Sequence, residues 1–305
     1  MRLIVTGVNG FVGRHVARLA AEAGWSVFGI STADTPPSDL APYLDGYAGV
    51  DLRLRWPDDA PRDAHVIHLA GLAAVGPSFD EPQTYIDSNS AMVTQMCEAY
   101  LSEGRSGRIV GVSTGAVYAN APVRTRHTED SAAGYTSPYV VSKLLVENQL
   151  HYYRQRGLDT VIARPFNHIG PGQGPGFLVP DLTRRLRSLH AGESLSVGNL
   201  DTERDYTDVR DVARAYLLLA ATESLHEVVF NVASGTARSG REILEMLCAR
   251  LGVDVPPISV DPSRIRPNDP PSIAGDATRL RNAVGWLPNL PLDRSIGDFV
   301  AADPV

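Results

Sequence analysis

Short apolar runs alternate with longer amphipathic stretches through the first half of the chain. RLIVTG is a brief apolar run ended by glycine, and FVGRHVARLAAEAG follows with helical spacing until Gly24 closes it. WSVFGIS, HVIHLAG, RIVGVST and DTVIARP repeat the apolar run, and helical periodicity falls between them at about 86–102 and 138–156. Apolar strands without polar alternation are covered on both faces, so this order predicts an α/β protein with a doubly wound parallel sheet.

The pattern changes after Arg164. PFNHIGPGQGPGF packs four glycines and three prolines into thirteen residues, too irregular for helix or sheet. Helices at about 179–191 and 209–222, the strand EVVFNVAS and the helix of SGREILEMLCARLG follow, the last stopped by Gly252. The proline-rich VPPISVDPSRIRPNDPP reads as a surface loop. Two units result: 1–165, and a smaller interleaved one over 166–305, from which about 200–230 returns to the first.

The first strand runs into TGVNGFVG, with Gly7, Gly10 and Gly13 three apart. A strand-to-helix turn of this kind lets a dinucleotide pyrophosphate approach a helix N-terminus where no Cβ intrudes. The sheet is thus of Rossmann type, and Gly7, Asn9, Gly10, Phe11, Val12 and Gly13 are candidate cofactor contacts. The second strand ends in Ser31 and Thr32 rather than a carboxylate, with Asp34 further out. A carboxylate there would bond the ribose hydroxyls and repel a 2′-phosphate. Without one, and with no arginine beside the two hydroxyls in sequence, NADP(H) is favoured and NAD(H) stays open. Asp51 and Leu52 are placed to meet the adenine.

Composition narrows the partners. The chain has 305 residues, 43% hydrophobic, and a net charge of −7, without the basic footprint of a nucleic-acid surface. Two cysteines, Cys97 and Cys248, give no disulfide framework and suit a reducing compartment. No signal peptide and no membrane-length apolar run are visible, so the expectation is a soluble, cytoplasmic protein. His65 and His68, three apart on a strand, point to opposite faces, and no cluster has zinc spacing, so no metal is assigned.

SPYVVSK carries Tyr139 and Lys143 on one face of a helix begun by Ser137 and Pro138. A nearby ammonium favours a phenolate, and Thr114, ending the strand of VSTGAVY, is placed to bond a reacting oxygen. Asn89 reads as an organiser of backbone and proton relay, and Ser113 as structural at least as readily as catalytic.

TGVNGFVG, HLAG, STGAVY, YVVSK, RPFNHIGPGQ, RDYTDVRDVARAY and RPND, in that order over nearly the whole chain, resemble the extended short-chain dehydrogenase/reductase family of sugar epimerases, dehydratases and reductases. The resemblance implies a Thr114–Tyr139–Lys143 triad, cofactor contacts at Leu69, Ala70 and Gly71, and a homodimer. It also implies a nucleotide-sugar substrate contacted by Ser78, Asn167 and Val179, with Arg204 and Arg266 on the pyrophosphate. Arg187, Glu193 and Asn199 are candidates for the nucleotide, and His168 lies in the glycine-rich loop near the substrate. Dehydratases of the family carry an acid two residues after the triad threonine. Here Ala116 stands there, and a methyl group cannot act as a base. The branch resembled then implies reduction of the C4 ketone of a 4-keto-6-deoxy nucleotide sugar, GDP-4-dehydro-6-deoxy-D-mannose to GDP-D-rhamnose. The same triad also serves an epimerase holding NAD tightly, a dTDP-sugar reductase, or a catalytically silent binding protein.

Overall fold

The computed structural model describes residues 1–121, 125–190, 192–265 and 269–302. The chain begins with β1 (Arg2–Thr6), α1 (Phe11–Glu22), β2 (Ser26–Ser31), β3 (Gly46–Gly49) and β4 (His65–His68). Next come α2 (Pro82–Ser102), β5 (Ile109–Val112), a two-residue β6 (Arg126–His127), α3 (Pro138–Gln155) and β7 (Thr160–Pro165). The second half supplies β8 (Asn167–Ile169), α4 (Leu178–Ser188), β9 (Leu195–Val197), β10 (Glu203–Asp208), α5 (Val209–Ala221) and β11 (Val229–Val232). It closes with β12 (Ala237–Ser239), α6 (Gly240–Leu251), β13 (Ile258–Val260), β14 (Ser272–Gly275), α7 (Thr278–Val284) and α8 (Leu292–Ala302).

Seven parallel strands form the larger sheet in the order β11-β7-β5-β4-β1-β2-β3. Its strands send alternate residues to two cores. Leu3, Val5, Val110, Val112 and Val161 meet α1 and α5, while Ile4, Ile109 and Ile162 meet α2 and α3 on the other face. This is why the strand segments read as unbroken apolar runs. Strand order reverses between β1 and β4, which opens a crevice at the carboxyl ends of the strands, where ligands bind in open α/β sheets.

The smaller sheet runs β12-β10-β14-β6, with β8 added beside β10, and β9 pairs with β13. Its apolar side packs on α4, α6 and α8 through Leu182, Leu186, Ile243, Leu247 and Phe299. Three sequence readings differ here. PFNHIGPGQGPGF, read as too irregular for sheet, contains β8, held as a short strand by parallel pairing with β10. The proline-rich segment contains β13, a short strand fitted between Pro257 and Pro262 and paired with β9. And β6, from the first half, crosses to pair with β14. Two-residue strands have no periodicity to read. Among the described residues no helix is long and apolar enough to cross a membrane.

Candidate active site

The glycine turn is fixed by close approach. Gly7 has φ +67°, and a Cβ on it would lie 2.8 Å from the Ala70 amide nitrogen. A Cβ on Gly13 would lie 2.4 Å from the Gly7 carbonyl oxygen, so α1 rests directly on the turn. Gly10 caps α1 and donates its N–H to Gly7. Asn9 donates from Nδ2 to the Tyr47 hydroxyl at 3.0 Å, Phe11 stacks on His168 at 6.0 Å, and Val12 packs toward the core. Leu69 and Ala70 both donate their N–H groups to Thr6 Oγ1 at 3.1 Å. That fills the hydroxyl's acceptor capacity, so its proton goes to His68 Nδ1 at 2.8 Å and His68 is the neutral Nε2–H tautomer. Burial beside Lys143 agrees, pushing His68 down to about 3.

A cavity of about 410 Å³ opens at the strand ends. Its wall takes Gly7 after β1, Ser31 at the end of β2 and Thr32 after it, Asp51 and Leu52 after β3, and Ala70 and Gly71 after β4. Sequence reasoning missed Arg53, Thr84 and Ser88 on the same wall. The glycine cradle, the hydroxyls at the end of β2 and the apolar floor fit a dinucleotide.

Of the three residues expected as a triad, Lys143 lies next to the cavity-lining Gly71. Ser137 Oγ accepts the Val140 N–H at 3.2 Å and starts α3, which sets Tyr139 in its first turn and Lys143 one turn later. Thr114, two residues beyond β5, accepts the Ala116 N–H at 3.2 Å and caps the short turn Gly115–Val117. Lys143 Nζ donates to the Val112 carbonyl at 2.9 Å, and a Cβ on Gly71 would lie 3.7 Å from it. The lysine thus joins the cavity wall to β5.

The electrostatics depart from the sequence reading. Burial pushes the Tyr139 phenol up to about 12, and the Thr114 hydrogen bond offsets this only in part. Burial also lowers Lys143 to about 8, against the pull of Glu147. The ammonium does not bring the phenol below its ordinary value, because desolvation of two buried groups dominates.

Asn89 accepts the Leu72 N–H at 2.8 Å and donates to Ser142 Oγ at 2.9 Å, tying the segment after β4 to α3. Ser113 donates to the buried Glu147 at 2.5 Å, and Arg164 clasps the same carboxylate at 2.9 and 2.7 Å. The expected substrate residues are less concentrated. Ser78 is buried and donates to the Val75 carbonyl at 2.6 Å, and Val179 lies in the core of the smaller lobe. Asn167 is exposed on β8, and His168 Nδ1 lies 3.1 Å from the Phe166 carbonyl. Arg204 is held by Asp269 at 2.7 Å and by the Pro270 carbonyl at 3.0 Å. Asn199 caps its own loop at Asp201, Glu193 accepts the His190 N–H, and Arg187 is exposed on α4. Arg266 lies outside the described residues.

A family model described as the NAD dependent epimerase/dehydratase family matches residues 3–233. GDP-6-deoxy-D-mannose reductase of Pseudomonas aeruginosa is 33% identical, over 97% of this chain and 94% of its own. The structure of RMD from Pseudomonas aeruginosa complexed with NADPH superposes with a TM-score of 0.83 at 31% identity, covering 99% and 98% of the two chains. The NAD complex of UDP-glucose 4-epimerase from Thermus thermophilus superposes with a TM-score of 0.86 at 29% identity, again covering 99% and 98%.

Proposed function

The chain belongs to the NAD dependent epimerase/dehydratase family, and from that premise we propose that it is an NAD(P)H-dependent 4-ketoreductase of a nucleotide-diphospho-6-deoxy sugar. The substrate we infer is GDP-4-dehydro-6-deoxy-D-mannose, reduced to GDP-D-rhamnose, by similarity to the Pseudomonas aeruginosa reductase. The observation that carries the reading is Thr114, Tyr139 and Lys143 gathered at the end of β5, beside the glycine-floored cavity, with Ala116 where a dehydratase needs an acid.

A reduced dinucleotide held by the glycine turn and the strand ends would supply the hydride for the ketone carbon. Tyr139, with its pKa near 12, is a neutral phenol at physiological pH and so is a proton donor to the oxygen being reduced. Thr114 Oγ1 holds that oxygen. Lys143, one turn along the same helix face, offsets the charge left on the phenolate. Asn89 and Ser142 keep α3 fixed against the segment after β4, so the phenol is held in place. Arg204 supplies a planar cation for the diphosphate once it leaves Asp269.

Purified protein given NADPH and GDP-4-dehydro-6-deoxy-D-mannose should lose the reduced-nicotinamide absorbance and yield GDP-D-rhamnose by NMR. Tyr139→Phe should bind both ligands yet turn over roughly 10²–10⁴-fold more slowly. Turnover of UDP-glucose without added cofactor, and none of the ketosugar, identifies an epimerase instead.

A further inference from the structure

Glu147 is 4% exposed and takes no part in the proposed chemistry, yet it lies one turn after Lys143 on α3, on the same helix face. The two side chains reach consecutive residues at the end of β5. Lys143 Nζ donates to the Val112 carbonyl at 2.9 Å, and Ser113 Oγ donates to Glu147 Oε1 at 2.5 Å. Arg164, on β7, donates from Nε to Oε1 at 2.9 Å and from Nη2 to Oε2 at 2.7 Å. Its Nη1 donates in turn to the Tyr118 hydroxyl at 3.0 Å and the Glu129 carbonyl at 3.3 Å. A fork so fully bonded keeps the carboxylate in one place.

A buried ion pair is weak evidence for stability, because apolar residues of similar volume often serve as well. This one stands next to a lysine whose own bond is to an uncharged carbonyl. The other groups around Lys143 carry no charge at neutral pH. Tyr139 is a neutral phenol, His68 on β4 is a neutral imidazole, and Asn89 and Ser142 join α2 to α3. Glu147 is the charge that opposes the cost of burying the ammonium. We propose that Glu147, clamped by Ser113 and Arg164, is a positioning residue that holds the Lys143 ammonium in place and in its charged form beside Tyr139. The competing role is a clasp that ties α3 to β5 and β7 and leaves the lysine's charge alone. The proposal rests on Lys143 being the lysine of the reductase triad.

Two readouts separate the roles, one with turnover and one without. Glu147→Gln keeps an acceptor for Ser113 and removes the charge. With NADPH and the ketosugar, its kcat should fall about fivefold at pH 8 and less than about twofold at pH 6, as a drop of about one pH unit in the lysine's midpoint requires. In urea unfolding without ligands, the parent should begin to gain stability near pH 8, where the folded chain sheds a proton that the unfolded one keeps. In Glu147→Gln that onset should come about one pH unit lower. Lys143→Met added to both proteins should abolish the difference between them, which assigns it to the lysine. Glu147→Asp, which keeps the charge, should restore the parent's onset. Glu147→Gln leaves Arg164 an unpaired buried cation, so Glu147→Gln with Arg164→Met removes the pair together, and the same shifts are expected of it. An onset unmoved in both variants makes Glu147 a clasp and overturns the proposal, as does a kcat loss equal at every pH. A lowered onset beside an unreactive ketosugar removes the proposed substrate and keeps the positioning role.

Discussion

Lys143 is a buried cation, 8% exposed, and its Val112 hydrogen bond does not repay its desolvation, since its pKa falls from the ordinary 10.5 to about 8. The sign for stability follows. At neutral pH the lysine is charged in both the folded and the unfolded chain. Between about 8 and 10.5 the unfolded chain holds the proton and the folded one does not, so stability rises with pH across that window. Lys143→Met removes both the charge and the titration. It should be at least as resistant to urea as the parent at neutral pH, and the parent should gain on it as pH climbs through the window. Turnover should fall roughly 100-fold or more, a trade of activity against stability. A clear loss of urea resistance in the variant at neutral pH would mean that the Val112 bond outweighs burial.

The turn from β1 into α1 is an element whose geometry is local, and for that reason TGVNGFVG revealed it. A Cβ at position 13 meets the Gly7 carbonyl at 2.4 Å and the Val8 Cα at 2.8 Å, both backbone, so neither can swing aside. Gly13→Ala must lift α1 from the turn. It should destabilise the protein by about 1–3 kcal/mol in urea unfolding and weaken 5′-AMP and adenosine 2′,5′-bisphosphate alike, since the turn lies under both. Unchanged binding would move the cofactor away from α1. The helix that carries Tyr139 and Lys143 was legible on the same ground: Ser137-Pro138 announces its start, and the two residues lie one turn apart on it. What the chain did not reveal depends on register between distant segments. Arg53 reaches the same cavity wall as Ser31 only because β3 lies against β2 in one alignment. Ser113 meets Glu147 and Arg204 meets Asp269 across 34 and 65 residues. The Tyr139 pKa was misread because spacing shows a neighbouring charge but not the burial that opposes it.

At the scale of the whole molecule, Asp205 joins the larger sheet to the smaller one. It is fully buried on β10, one residue after Arg204. Its oxygens accept the Ser234 N–H and hydroxyl, the Gly235 N–H at 2.8 Å and the Gly275 N–H at 3.2 Å. The first two residues follow β11, the last added strand of the larger sheet, and Gly275 ends β14 of the smaller one. Burial raises the carboxyl above its usual value, against the pull of these bonds. Asp205→Ala leaves the buried Gly275 N–H without this acceptor, at a cost of about 1–3 kcal/mol, and leaves three part-buried donors of Ser234 and Gly235 weakened as well. The variant should therefore unfold several kcal/mol more easily, or survive with the two sheets loosened against each other. In the surviving protein Arg204, beside the lost anchor, should drift, raising KM for the nucleotide sugar. The cavity at the ends of β1–β4 touches none of these groups, so adenosine 2′,5′-bisphosphate affinity should stay near that of the parent. Parallel loss of both affinities would show that the sheets move as one body and that Asp205 only supports the fold. A KM effect alone would place it as the joint through which β10 positions Arg204 for the substrate.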